Sequence, residues 1–144
     1  MIRQATRYDK TRVIELMKMF RAESPIHEFI SEDNEEYWSR LLDNIFAGAG
    51  AVFLADDKGL LMCMVMPTIW NDKILALHEL AWYVKPEYRG GTTGFKLLKA
   101  YLDYAEAMKE SGRVRYYTMT KMVTSPDIDY GKFGFRKVDE NWVQ

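Results

Sequence analysis

Residues 75–107, LALHELAWYVKPEYRGGTTGFKLLKAYLDYAEA, join an apolar run, a glycine-rich turn and a long amphipathic stretch. The run from Ile74 to Val84 is almost wholly apolar or aromatic and is bounded by Pro86, which predicts a central strand covered on both faces. Beyond the turn, apolar side chains recur at spacings of three and four, which predicts a helix with one buried stripe. The stripe comprises Leu98, Tyr101, Leu102, Ala105 and Met108. Gly112 is the expected C-cap of this helix.

The turn between strand and helix has the composition of an anion-binding site. Gly90, Gly91 and Gly94 permit positive φ and close approach, so consecutive backbone N–H groups can face one anion. The first turn of the helix adds unpaired N–H donors and the positive end of its dipole. Arg89 adds a full positive charge. We therefore expect a phosphate group to bind at this turn.

Two common phosphate motifs do not match the turn. A P-loop needs a Lys followed by Ser or Thr, but residues 94–97 read Gly-Phe-Lys-Leu. A dinucleotide-binding turn needs G-x-G-x-x-G and an acidic residue at the end of the next strand. The turn here is G-G-x-x-G, and the next strand, from about Val114, ends without an acid. Both motifs are therefore disfavoured.

Residues 84–94, VKPEYRGGTTG, resemble the acetyl-CoA pyrophosphate loop of the GNAT family of N-acetyltransferases. That loop reads Arg or Gln, two residues, Gly, one residue, then Gly or Ala, and Thr92 stands where the first glycine is usual. Residues 130–135, YGKFGF, resemble the Y-x-K-x-G-F motif that closes the same fold. Val123 stands seven residues before Tyr130, where the family often has Asn.

The resemblance implies a fold, a reaction and a binding site. The fold is α/β (α+β), with a mixed, mostly antiparallel sheet, one parallel β-α-β crossover at the cofactor site, and flanking helices. The reaction is acetyl-CoA-dependent acetylation of a primary amine by direct attack, without a metal. The residues placed at acetyl-CoA are Trp82, Tyr83, Val84, Arg89, Gly90, Gly91, Thr92, Thr93, Gly94 and Phe95. A non-catalytic CoA-binding or protein-interaction domain of the same fold is the alternative.

Amine acetylation needs a base, because a free alkylamine has a pKa of about 10.4 and is protonated at neutral pH. Glu79 is a carboxylate inside an apolar strand, where burial raises its pKa, and the resemblance gives it the role of base. The alternative is that Glu79 has no catalytic role and that its carboxylate only faces water or pairs with an arginine. His78 is the rival base, but neighbours in a strand face opposite sides. His27 is a weaker candidate. The resemblance gives Tyr130 the role of general acid for the departing thiolate, and a packing role is its alternative.

The order of the remaining elements follows from apolar patterns and breakers. A strand from Ile2 to Thr6 precedes a helix capped by Thr6 or Asp9, and Ser31 or Asp33 is expected to cap a second helix. Two strands flank the turn at residues 57–59, with Pro67 ending the second one. Only the long helix can support a parallel crossover, so residues 114–120 are the parallel neighbour of the central strand. Residues 127–133 are expected to form a short helix and residues 135–143 a final strand.

The segment 22–36 holds six carboxylates: Glu23, Glu28, Glu32, Asp33, Glu35 and Glu36. Helix capping and solubility explain them first. In the resembled family, this region overhangs the acceptor site, so these acids are also candidates for holding a cationic amine.

Composition bounds the remaining possibilities. The 144 residues, 48% hydrophobic, suit a single domain spanning residues 1–144. The net charge is −1 and no basic run exceeds two residues, so a nucleic-acid partner is not expected. No apolar leader or membrane segment is visible, and the single cysteine, Cys63, reads as a small buried hydrophobe, so a cytoplasmic location without membrane association is expected. Homodimerisation and the identity of the amine (polyamine, antibiotic, peptide N-terminus or lysine side chain) stay open.

Overall fold

The computed structural model describes all 144 residues, Met1 to Gln144. Five strands form one sheet in the order β1-β2-β3-β4-β5. The strands are β1 (Ile2–Gln4), β2 (Gly50–Ala55), β3 (Gly59–Thr68), β4 (Asn71–Val84) and β5 (Tyr116–Thr118). The α-helices are α1 (Lys10–Glu23), α2 (Glu35–Asn44) and α3 (Thr93–Glu110). All neighbouring strands are antiparallel except β4 and β5, which are parallel and joined through α3. The predicted fold class is confirmed.

The sheet carries a separate apolar layer on each face. One layer packs Val13 and Leu16 of α1 and Leu42 of α2 against the sheet. The other packs the buried stripe of α3 against the opposite face, where Leu97 and Tyr101 are fully buried. Because side chains alternate along a strand, the central strands β2, β3 and β4 each contribute to both layers, which is why β2 is buried at every position. The helix stripe read from the sequence is therefore confirmed.

The connections differ from prediction in two details. The N-cap of α2 is Asn34, whose Oδ1 accepts from the Tyr37 N–H at 3.0 Å, so the expectation of Ser31 or Asp33 is wrong. Asp33 is instead engaged by the Arg21 guanidinium. The prediction that Pro67 ends its strand is also wrong, because β3 continues to Thr68. The pairing with β4 changes register between Pro67 and Thr68, beside the position where proline has no N–H to donate. Gly112, at φ 80°, follows the end of α3 as expected.

The C-terminal region departs most from prediction. A 3₁₀ turn spans Tyr130–Phe133, but residues 135–143 form no strand, so that prediction is wrong. The apolar residues there, at 135, 138, 142 and 143, lack the period of two that would bury one face of a strand. Val138, Trp142 and Val143 are accordingly exposed at 81%, 84% and 67%. No helix of the molecule is long and apolar enough to cross a membrane.

Candidate active site

The two parallel strands pair over only three residues and then separate. Ala76, Leu77 and His78 of β4 face residues 116–118 of β5. On its other side, β4 pairs Glu79 with Cys63 and Ala81 with Met62, so Leu80 is an extra, bulged residue. Beyond His78, β4 has no strand on the β5 side. The strands thus form a fork whose open edge runs along residues 79–84, next to the glycine turn.

The glycine turn offers a row of unpaired backbone donors. None of the N–H groups from residue 90 to residue 95 donates to another backbone group, and the first bond of the helix runs from the Lys96 N–H to the Thr92 carbonyl at 2.9 Å. Thr92 occupies the N-cap position without using its hydroxyl as a cap. Of the three glycines of the turn, only Gly90 adopts a positive φ, at 90°. A Cβ at Gly91 would meet no atom within 4 Å.

Arg89 is bound to neighbouring protein groups beside this turn. Its Nε donates to the Val84 carbonyl at 2.8 Å, and its Nη2 contacts Glu23 Oε2 at 2.5 Å. The guanidinium lies 5.5 Å from the centre of the Tyr83 ring, and the Tyr83 hydroxyl donates to Glu23 Oε1 at 2.9 Å. The Arg89 hydrogen bond lowers the pKa of Glu23. Arg89 therefore ties the turn to the end of α1, while the turn itself presents its backbone N–H groups.

Glu79 and Tyr130 meet at Thr120, two residues beyond β5. The Thr120 N–H donates to Glu79 Oε2 at 3.1 Å, and the Tyr130 hydroxyl donates to the Thr120 carbonyl at 3.2 Å. Glu79 is only 6% exposed, and this burial raises its pKa to about 7. Burial also raises the pKa of Tyr130 to about 12, so its hydroxyl keeps its proton at neutral pH. The structure thus brings together two residues that lie far apart in sequence.

His78 lies on the other face of the sheet. Leu77 and Tyr117 belong to the α3 layer, and alternation turns His78 and Thr118 away from it. His78 Nδ1 is 2.8 Å from Thr118 Oγ1. Burial lowers the pKa of the imidazole, which is therefore neutral at pH 7. The acidic segment lies on the same face, because it joins α1 to α2 and both helices pack there.

The other residues predicted at the cofactor line the turn and the strand leading to it. The Trp82 side chain packs beneath the first turn of α3, close to Gly94, and its buried Nε1 has no hydrogen-bond partner. Tyr83 is buried on the α1 face. Phe95 is 55% exposed and lies 6.3 Å from the Phe133 ring. The Val84 carbonyl is already used by Arg89.

Most of the acidic segment is already paired within the protein. Four of its six carboxylates have a cation within ion-pair distance: Glu23 with Arg89, Asp33 with Arg21, Glu35 with Lys18, and Glu36 with Arg40. Glu28 has no partner, and Glu32 accepts only from the Ser31 N–H. Ion pairs within the protein therefore account for four of these acids, and Glu28 and Glu32 remain for an external cation.

Cys63 is confirmed as a small buried hydrophobe. It is fully buried, and its Sγ lies 3.6 Å from the Ala51 carbonyl. Burial raises the pKa of the thiol to about 12, so it is not a nucleophile at neutral pH. The molecule contains no group of three or more His, Cys, Asp or Glu side chains that could hold a metal ion.

Two residues of this site were not recognised from the sequence. Thr120 joins Glu79 to Tyr130 through its backbone, which no residue-type pattern reveals. Glu23 was noted only as one acid among six, although it is the partner of Arg89. Glu23 lies in the last turn of α1, where the negative end of the helix dipole disfavours a carboxylate. This position could have indicated that Glu23 has a cationic partner.

Comparison with known proteins supports the fold. The model of the acetyltransferase (GNAT) family matches residues 8–135. No curated protein matches the sequence. A predicted acetyltransferase from Clostridium acetobutylicum, solved with acetyl-CoA, is similar over 100% of this chain and 94% of its own, with a TM-score of 0.65 and 20% identity. A soil metagenomic aminoglycoside acetyltransferase, solved with sisomicin, is similar over 100% and 92%, with a TM-score of 0.67 and 18% identity. An integron cassette protein from the Cole Harbour Salt Marsh metagenome is similar over 99% and 88%, with a TM-score of 0.69 and 16% identity.

Proposed function

Because the chain belongs to the acetyltransferase (GNAT) family, we propose that residues 1–144 act as one catalytic domain that transfers an acetyl group from acetyl-CoA to a primary amine. The observation that carries the donor half of this proposal is the row of unpaired N–H groups from residue 90 to residue 95 at the start of α3. Such a row, at the positive end of a helix dipole, suits a pyrophosphate. The open edge of β4 beside it suits an extended amide-containing arm.

The residues at the fork fit the chemistry of acetyl transfer. When bound, acetyl-CoA supplies an electrophilic thioester carbonyl. Glu79, with a pKa near 7, can hold the proton that an ammonium acceptor must lose before its nitrogen attacks. Tyr130 keeps its proton at neutral pH, and its hydroxyl can turn from the Thr120 carbonyl to donate that proton to the departing sulfur. Both side chains bond to the backbone of one residue, Glu79 to the Thr120 N–H and Tyr130 to the Thr120 carbonyl. This arrangement favours direct attack without a covalent enzyme intermediate or a metal.

The acceptor side of the proposal is a cationic amine with apolar surface. Segment 24–34 presents Ile26, Phe29 and Ile30, which are 39%, 50% and 45% exposed, next to the unpaired Glu28. Apolar side chains and one or two free carboxylates together suit an amine carried on a hydrophobic or mixed framework. The solved neighbour that binds sisomicin supports an amine acceptor of this general kind.

The donor half is tested by titrating CoA into the wild-type protein and into Gly91→Val. Since a Cβ at Gly91 meets no neighbouring atom, the variant should keep its melting temperature. It should nevertheless lose CoA affinity by at least about tenfold, because the side chain blocks approach to the backbone donors. Unchanged affinity in a folded Gly91→Val protein would refute the assignment of the turn.

A further inference from the structure

A groove of about 340 Å³ lies at the C-terminal end of α3 and is lined by four cationic side chains. They are Lys73, Lys109, Arg113 and Arg115, and we call this feature the basic groove. Its volume falls within the range of small-molecule sites. The 18 residues of α3 separate it from the glycine turn by about 27 Å. The basic groove is therefore distinct from the proposed acetyl-CoA site.

No acidic group of the protein forms an ion pair with any of these four side chains. Ten ion pairs occur in the molecule, and none involves a residue of the basic groove. Arg113 donates to the Gly48 carbonyl, which holds its guanidinium in place without cancelling the charge. The four like charges repel one another, and an anion from outside the protein would relieve that repulsion.

Capping of α3 does not account for the cluster. The Ala107 and Lys109 carbonyls already accept from the Ser111 and Gly112 N–H groups, at 3.0 and 3.1 Å. The Met108 carbonyl accepts from the Arg113 N–H at 3.0 Å and from the Ser111 hydroxyl at 2.9 Å. Three of the last four carbonyls of α3 therefore need no cationic side chain. The helix dipole favours cations near this end, but Lys73 belongs to β4 and Arg115 directly precedes β5.

The four side chains approach the basic groove from separate parts of the fold. Lys73 comes from β4, Lys109 from α3, and Arg113 from the turn after it. The Arg115 N–H donates to the Leu75 carbonyl at 2.8 Å, which fixes Arg115 beside β4.

A planar carboxylate accepts its hydrogen bonds mainly in one plane, whereas phosphate oxygens accept from several directions. We propose that the basic groove binds a small phosphate ligand carrying several negative charges, of the di- or triphosphate class.

The test is an NMR titration of the full chain with inorganic triphosphate, measured with the glycine turn saturated by CoA. The proposal predicts saturable amide shifts at Leu75, Gly112 and Val114, which line the groove. The same titration without CoA shows whether triphosphate also enters the turn. If shifts occur only in residues 90–95, or nowhere, the basic groove is not a binding site.

Charge variants separate a site from general attraction. Lys73→Gln/Arg115→Gln should weaken triphosphate binding by at least about tenfold. Arg12→Gln/Arg136→Gln removes the same charge from exposed positions elsewhere and should leave the affinity within about twofold. Equal weakening in both pairs would overturn the proposal, and so would citrate binding as tightly as triphosphate. An oligonucleotide that binds where triphosphate does not would also overturn it.

Discussion

Glu79 and His78 are neighbours in the central strand, yet the two faces of the sheet give them different surroundings. Glu79 is buried in the α3 layer, is held by the Thr120 N–H, and shares that residue with Tyr130. His78 lies on the α1 face and contacts a threonine hydroxyl. Burial raises the pKa of Glu79 to about 7 and lowers the pKa of His78. The difference shows that one physical cause, desolvation, opposes charge on both residues while moving their pKa values in opposite directions.

The largest effect expected from this comparison is on turnover. Glu79→Gln should lower kcat roughly 10³-fold and remove the rise of kcat/KM with pH through about 7, because a base must be ionised to accept a proton. His78→Gln is the matched control and should retain that rise. Rate measurements from pH 5 to 9 distinguish the two. A lost pH dependence in His78→Gln, with wild-type behaviour in Glu79→Gln, would assign the base to the other face.

Stability should also depend on pH through Glu79. Its folded pKa lies above the ordinary value of 4.5, so its contribution is fully present below pH 4.5 and is lost as pH rises through about 7. The loss is on the order of 3 kcal/mol. His78 should act in the opposite sense, because its lowered pKa makes the fold more stable as pH rises. Chemical denaturation from pH 4 to 8 should show a flatter profile for Glu79→Gln, and an unaltered profile would mean that Glu79 is solvated.

A smaller loss of turnover is expected when Tyr130 is replaced. Tyr130 bonds to the same residue, Thr120, as Glu79 does. Tyr130→Phe keeps the ring and its contact with Phe135 but removes the hydroxyl bond to Thr120. We expect kcat to fall about 10²-fold with CoA affinity nearly unchanged, since the acid acts mainly as charge develops on sulfur. Phe133→Leu, which alters the same turn without touching a hydroxyl, is the control. Wild-type turnover in Tyr130→Phe would reduce Tyr130 to a packing residue.

The smallest effect concerns the acids on the His78 side. Glu28→Gln/Glu32→Gln should raise the KM of a cationic acceptor about twofold at low ionic strength and have no effect at high salt, because exposed charges are screened. Glu35→Gln/Glu36→Gln removes two acids that are already paired with Lys18 and Arg40, so it should change KM less. Equal effects from both pairs would mean that ion pairing within the protein does not determine which acids meet the acceptor.

The sequence predicted those features that depend on local pattern. A local period or composition is enough to predict three of them: the apolar run, the glycine turn and the stripe of α3. The parallel crossover could be predicted because only one connection is long enough to form it. The ladder between β4 and β5 is only three residues long because the bulge at Leu80 and the side chain of Glu79 end it. The apolar run in the sequence does not indicate where this ladder ends.

The features that were missed depend on contacts between distant segments. Thr120 acts through its backbone, and Glu23 reaches Arg89 from the far end of α1. The basic groove gathers cations from residues 73 to 115, so a search for runs of basic residues could not find it. The final strand was predicted from composition alone, and its apolar residues lack the alternation that would bury them.

The central claim, acetyl transfer to an amine at the fork beside Glu79, is tested most directly by incubating the protein with acetyl-CoA and a panel of amines. The panel should contain a polyamine, an aminoglycoside, a free peptide N-terminus and a lysine-containing peptide, with thiol release and the acceptor mass followed together. The account predicts thiol release that depends on one class of amine, a gain of one acetyl group on that amine, and loss of both signals in Glu79→Gln. Tight CoA binding with no acetylated product from any amine would contradict it and leave a CoA-binding domain without transferase activity.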